Sequence, residues 1–377
     1  MNAFTFKALT AVRLGIPNLV RAVGYKLSVK TGLNPVRRLR SELPQPPFFS
    51  AVGRGLFHEA VPRMGWFKNS QAFGRDLEPI HGPAIEWLTG CISGRTVPFA
   101  DKEWWQIPDF DSAVGDIKTV WEASRFDWVL ACAEHILAGD SSAHDRLEAW
   151  LKDWLTHNPP YKGPNWKCGQ EASIRVMHLA MAAHMLAQIK ECEPGLLELI
   201  LIHLLRIAPT IQYAIAQDNN HGTSEAAALF IGGDWLARNG NKRGLKWYKQ
   251  GRKWLENRAS RLIMADGTFS QYSTNYHRVM LDAYSIAEVW RHRCSLVEFS
   301  EKLKNRLCAA ISWIHDLTDD ETGDVPNLGA NDGARLLPLS DTDYRDFRPS
   351  VQLAASLFYD KAAWKSNGIY DAPLEWL

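Results

Sequence analysis

From about Asp116 onward the chain is a succession of apolar segments at helical spacing, joined by short turns, and strand patterns are almost absent. The run IKTVWEASRFDWVLACAEHILAG puts apolar residues at Ile117, Val120, Trp121, Phe126, Trp128, Val129, Ala133, Ile136 and Leu137, with Gly139 as a C-terminal stop. The same pattern predicts further helices at about 143–156, 169–190, 195–217, 223–238, 243–264, 275–293, 299–316 and 348–363. The links NPPYKGPN, CEPG, QDNNHG, RNGN and ADGT carry the Gly, Pro, Asn and Asp of tight turns. Helices in alternation with short links imply antiparallel hairpins stacked side by side. EASIRVMHLAMAAHML is apolar nearly all round, which requires neighbours on every side. No crisp repeat occurs, which disfavours a regular TPR or HEAT array. The expected fold is all-α, a toroid or double-layered α/α barrel.

The organisation divides near residue 112, with 1–112 an N-terminal part packing on the toroid of 113–377. Residues 1–45 carry one or two short helices, stopped by the prolines of SELPQPPFFS. The opening MNAFTFKALTAVRLGIPNLVRAVGYKL is amphipathic and basic. It reads first as an ordinary packed helix and second as a segment lying on a membrane surface. Residues 46–112 are irregular and rich in Gly, Pro and aromatics. Residues 317–347 form a long polar loop with Gly323, Gly329 and Gly333, either a functional loop or a surface excursion.

Charge narrows the function classes. The 43 Lys and Arg against 42 Asp and Glu leave a net charge of +1, which argues against binding nucleic acid by bulk charge. Six cysteines are widely spread with no CxxC pair, so no zinc ribbon or redox motif is expected and no metal or other cofactor is implied. No run reaches the roughly 18 uninterrupted apolar residues of a membrane span. No clear signal peptide is present, which points to the cytoplasm. P-loop, GxGxxG, GxSxG and HExxH motifs are missing. The 16 tryptophans hint at sugar stacking, though Trp is equally a large core residue.

Four constellations could carry chemistry. In QDNNHGTSE, Thr223 or Ser224 is the expected N-cap, which leaves Asn220 and His221 just ahead of a helix N-terminus where an anion is favoured. The alternative is a turn that merely caps the helix. In ADGTFSQYSTNYHR, Ser273 or Thr274 caps the next helix and puts Tyr276 and His277 in its first turn. A tyrosine used as a base near pH 7 needs its pKa lowered by roughly 3 units, about 4 kcal/mol. A packing tyrosine is the alternative. Trp121, Arg125 and Trp128 share a helix face at i, i+4, i+7, a floor for an acidic sugar, while Glu122 and Arg125 could equally form an i,i+3 pair. In NWKCGQEASIR, Glu171 and Arg175 have the spacing of a structural i,i+4 ion pair.

Five segments, DIKTVWEASRFDWVLACA, NWKCGQEASIRVMHLA, QDNNHGTSEAAALFIGG, ADGTFSQYSTNYHRVMLDAY and VPNLGANDGARLLPL, together resemble the heparinase II/III-like polysaccharide lyases of the chondroitin AC and alginate lyase superfamily. They recur in the family's order across about 116–360. The segment RLGIPNLVRAVGYKLSVKTG also looks like the start of bacterial members linked to surface-polysaccharide metabolism, which would place the protein in the periplasm. The resemblance implies an incomplete (α/α) toroid followed by an antiparallel β-sandwich, and β-elimination on a uronic acid of an acidic polysaccharide. By that resemblance Asn220 and His221 hold the substrate carboxylate and Tyr276 acts as base, acid or both. Arg125, His277 and Glu225 are supporting contacts, and Trp121, Trp128 and Trp166 are stacking surfaces. The chain ends at Leu377, where the family's sandwich is expected to begin, so the further catalytic His that the sandwich usually supplies has no counterpart.

Three rival readings remain. A hydrolase on a related barrel needs two facing carboxylic acids, for which Asp266, Asp332 and Glu225 are available. A non-catalytic glycan-binding module and a helical scaffold without a sugar role are the others.

Overall fold

The computed structural model describes residues 15–53, 56, 62–63, 71–72, 75–76, 85–365 and 368–377. The start of the amphipathic N-terminal segment, and much of the irregular stretch between 54 and 84, lie outside the described residues.

The first described helix, α1 (Ile16–Thr31), is followed by an irregular stretch and by two small β-hairpins, β1 (Gln71–Ala72) with β2 (Arg75–Asp76) and β3 (Phe110–Asp111) with β4 (Gly115–Asp116). Then come α2 (Lys118–Trp121), α3 (Asp127–Leu137), α4 (Ser141–His157), α5 (Gly169–Met185), α6 (Pro194–Ile207), α7 (Ile211–Ala216), α8 (Asn220–Arg238), α9 (Gly244–Leu262), α10 (Thr274–Arg293), α11 (Glu301–His315), α12 (Arg348–Tyr359) and α13 (Ala372–Trp376).

The fold is all-α, with helical hairpins arranged as a toroid. Helices α5, α8 and α10 form an inner layer, and α6, α9 and α11 return outside them. The burial pattern explains the layering. Every residue of α5 is buried, and in α8 and α10 burial runs almost without a break from the first turn to the last. On α9 it is confined to one stripe, Trp247, Gly251, Trp254, Leu255, Arg258, Ala259 and Leu262. A helix apolar on all sides must be enclosed, while an amphipathic one can face water. Glycine lets α8 and α9 touch backbone to backbone: a Cβ at Gly251 would lie 2.2 Å from the Phe230 nitrogen, and one at Gly233 2.3 Å from the Tyr248 nitrogen.

Two expected helices are broken. The segment at 195–217 divides into α6 and α7 because Pro209 has no N–H to continue the ladder. The segment after Ile117 breaks at Phe126, which takes the left-handed conformation (φ 67°) while its ring packs against Trp128 and Trp154. That strain is held in place by complete burial.

The main core is continuous from Val36, Phe48, Phe49, Trp87 and Trp104 of the N-terminal part through the helices. A second small cluster gathers Val97, Phe99, Ile107, Val114, Ile117, Val120 and Trp121. The polar loop before α12 folds back over the start of α10: Leu336, Leu337 and Leu339 are buried, and Thr274 N–H donates to the Leu328 carbonyl at 3.2 Å. Among the described residues no helix is long and apolar enough to cross a membrane.

Candidate functional site

Helix α8 begins earlier than its cap residues suggest. Asn219, not Thr223 or Ser224, is the N-cap, its Oδ1 accepting from His221 N–H at 3.0 Å. Asn220 and His221 are therefore the first residues of the helix rather than the turn ahead of it. Asn220 is buried, and its backbone N–H donates to Gln271 Oε1 at 2.8 Å, which ties the start of α8 to the loop that leads into α10. The half-buried His221 ring lies 4.0 Å from Cys168 Sγ through Nδ1. Burial pushes its pKa down, although Glu225 and Glu171 pull the other way.

Glu225, one turn further along α8, points its carboxyl at the first residue of α5. A Cβ on Gly169 would meet Glu225 Oε1 at 2.3 Å, so a larger residue there would displace the carboxyl. Among the described residues its Oε2 is buried without a hydrogen-bond partner. Burial, with the Cys168 thiol beside it, pushes the carboxyl up to about 8, so it is largely protonated at neutral pH.

Of the two caps its sequence offers, Ser273 rather than Thr274 caps α10, accepting from Tyr276 N–H at 3.1 Å, while its own hydroxyl donates to the Ala330 carbonyl. The half-buried Tyr276 donates its phenol proton to Asp332 Oδ2 at 2.7 Å. Lys118 Nζ lies 3.4 Å from the same oxygen, and Asn275 Nδ2 lies 3.4 Å from the other. Burial and the Asp332 charge both push the phenol well above the ordinary tyrosine range. Against its own burial, the phenol hydrogen bond, Lys118 and Arg125 hold the Asp332 carboxyl below the usual carboxylate range.

Several expected substrate contacts prove to be core groups. His277 is fully buried, donates from Nε2 to the Ala310 carbonyl at 2.9 Å and stacks on Trp313 of α11. Burial holds its pKa down at about 4, and it faces the outer layer rather than Tyr276. Trp121, Trp128 and Trp166 are buried, their indole N–H groups spent on the carbonyls of Pro164, Ala123 and Asn158. The break at Phe126 also destroys the continuous helix face that would align Trp121, Arg125 and Trp128. Aromatic faces here serve buried cations: the Arg175 guanidinium lies 5.0 Å from the Trp154 ring centre and 5.4 Å from that of Trp166.

Arg125 is near the site but already engaged, with Glu171 through Nε (2.9 Å) and Nη2 (3.2 Å) and with Glu122 through Nη1 (2.5 Å). The i,i+3 pair is thus formed. The expected Glu171–Arg175 pair is not: Arg175 turns to His203 Nε2 and to the Asn165 carbonyl, because the Arg125 fork takes the Glu171 carboxylate bidentately. Glu122 is raised to about 7, by burial first, against the attraction of Arg125.

Sequence reasoning missed Lys118 and the pairing of Asp332 with Tyr276. Asp332 stood only among the carboxylates available to a hydrolase; the signal that could have singled it out is the Asn-Asp-Gly turn inside a long polar loop.

The N-termini of α5, α8 and α10 thus meet at one end, joined by the Glu225–Gly169 approach and the Asn220–Gln271 bond. Helix beginnings carry partial positive charge, so this end favours an anion. Tyr276, Asp332, Lys118 and His221 occupy it, and the charges of Asp332 and Lys118 act on His221. A helical toroid with polar groups gathered where its inner helices start defines a class of proteins. Within it, the family model described as Heparinase II/III N-terminus matches residues 101–329, more than half of the chain, and the chain belongs to that family. No curated protein and no solved structure gives a significant match.

Proposed function

We propose that this chain is the helical part of a polysaccharide lyase that cleaves a uronic-acid-containing glycan by β-elimination. The observation that carries the reading is a protonated phenol, Tyr276, held by Asp332 at the end where three inner helices begin.

In the reaction a base takes the proton at C5, the electron pair forms the C4–C5 double bond, and the C4–O bond breaks. The departing oxygen then needs a proton. A phenol kept neutral by burial and by an adjacent carboxylate suits that last transfer better than it suits proton abstraction. Arg125 offsets only part of the cost of the phenolate left behind, which burial and the Asp332 charge raise. The substrate carboxylate must be neutralised as charge develops beside it. The first turn of α8 supplies this, through the Asn220 amide, His221 and the helix N-terminus. Glu225 and Glu122 assist passively: with pKa values of about 8 and about 7 they add less negative charge than their number suggests. A hydrolase is less well supported, since Asp266 lies exposed in a turn and spends its carboxylate on Thr268.

The test is to incubate the protein with a panel of acidic polysaccharides and follow the ultraviolet absorbance of unsaturated uronate. Cleavage that produces the chromophore supports elimination. Cleavage without it supports hydrolysis, and binding without cleavage supports a glycan-binding module.

A further inference from the structure

The first 41 residues hold eight of the chain's 43 Lys and Arg and none of its 42 Asp and Glu; the first acid is Glu42. A chain that is nearly neutral overall therefore carries one segment of a single sign.

Helix α1 lies in that segment and is fixed to the toroid by one face. Tyr25 stacks on Tyr213 of α7 with ring centres 4.2 Å apart, and Asn18 Nδ2 donates to Asp218 Oδ2 at 2.7 Å. The opposite face carries Ile16, Val20, Val23 and Leu27, which are 77%, 66%, 54% and 57% exposed. Their spacing of four, three and four residues is that of a single apolar stripe, and the 71% exposed Leu33 extends it just past the helix end. Lys26 and Lys30 lie exposed along one border of the stripe. A helix packed on a globular body normally turns its aliphatic residues inward; here the face on the body presents Tyr25 and Asn18, the helix's one buried residue, and the aliphatic stripe faces water.

We infer that α1 seats on an anionic lipid surface, with Ile16, Val20, Val23 and Leu27 entering the boundary between headgroups and acyl chains and the flanking lysines meeting lipid phosphates. Charge complementarity selects this occupant. Basic residues next to an apolar helix face are what an anionic leaflet attracts. A second copy of the chain would bring two all-cationic segments together with no carboxylate in either to offset them. Among the described residues no helix is long and apolar enough to span a bilayer, so the contact is a surface one. Docking also has an orienting consequence. Asp218, which holds Asn18, is two residues ahead of Asn220, so α1 would bring the end where α8 begins close to the membrane. This inference is independent of the lyase reading.

The test is flotation of the full chain with vesicles of pure phosphatidylcholine and with vesicles containing one part phosphatidylserine to two parts phosphatidylcholine. The expected result is flotation with the mixed vesicles, reduced at least about tenfold with the neutral ones and weakened by high salt. The double substitution Val20→Asp with Val23→Asp should cut the floated fraction at least about tenfold while circular dichroism stays unchanged, because both side chains face water. Lys26→Glu with Lys30→Glu should lower flotation with the mixed vesicles only. The inference is overturned if the wild type stays with the soluble fraction, if neutral and mixed vesicles bind it equally, or if Val20→Asp with Val23→Asp leaves flotation intact. It is also overturned if sedimentation shows a dimer that this double substitution dissolves and no vesicle binding occurs.

Discussion

The Tyr276 phenol and the Asp332 carboxylate, 56 residues apart in the chain, share a hydrogen bond of 2.7 Å at the start of α10. The pair fixes the phenol as a donor in the resting protein, with Lys118 3.4 Å from the same carboxylate oxygen. Tyr276→Phe should lower elimination by at least about 100-fold while glycan binding persists, measured as kcat beside a direct binding titration. Asp332→Asn should move the alkaline limb of the kcat profile to lower pH by roughly one unit, because the charge that raises the phenol is gone. Full activity in Tyr276→Phe would remove the phenol from the mechanism.

Asn220 stands in the first turn of α8, where charge developing on a substrate carboxylate would be met. Asn220→Ala should lower kcat by about 100-fold and change KM much less, since the stabilised charge grows in the transition state. An effect confined to KM would assign the residue to ground-state binding only.

Glu225 links the site to stability through pH. Its folded pKa of about 8 lies above the unfolded value of about 4.3. Between these values the native protein keeps a proton that the unfolded chain releases, so this group's contribution is complete below about pH 4 and is lost as pH rises through about 8. Glu225→Gln should therefore flatten the decline of Tm between pH 5 and pH 8 and raise Tm at pH 8 relative to wild type, a tenfold difference in proton affinity between the two states being worth about 1.4 kcal/mol. An unchanged Tm profile by calorimetry would contradict the buried, protonated state.

His277 tests the opposite expectation. With its Nε2 on the Ala310 carbonyl and its ring on Trp313, His277→Ala should cost roughly 2–4 kcal/mol of stability by denaturant titration. Any KM of the surviving folded protein should stay within about twofold of wild type.

The contact between α8 and α9 is equally open to measurement. A Cβ at Gly251 would sit 2.2 Å from the Phe230 backbone nitrogen, which cannot swing aside as a side chain could. Gly251→Ala should destabilise by about 1–3 kcal/mol or more, read as a lower denaturant midpoint.

Much of this architecture is legible one segment at a time. The 3.6-residue period and the turn residues located nearly every helix of the toroid, and the Ser273-Thr274 pair announced the start of α10, because helix propensity, capping and amphipathicity act over a few neighbouring residues. The all-round apolarity of α5 likewise announced an enclosed inner layer. Partner choice followed a different rule. Glu171 bonds Arg125 rather than the Arg175 one turn away, and Tyr276 meets a carboxylate from a distant loop. His277 and three tryptophans went to the core although their motifs suited a sugar. Helical periodicity depends on local spacing and survives in any window of sequence. A hydrogen bond or an ion pair depends on which atoms arrive within about 3 Å of each other, and only the packed chain decides that.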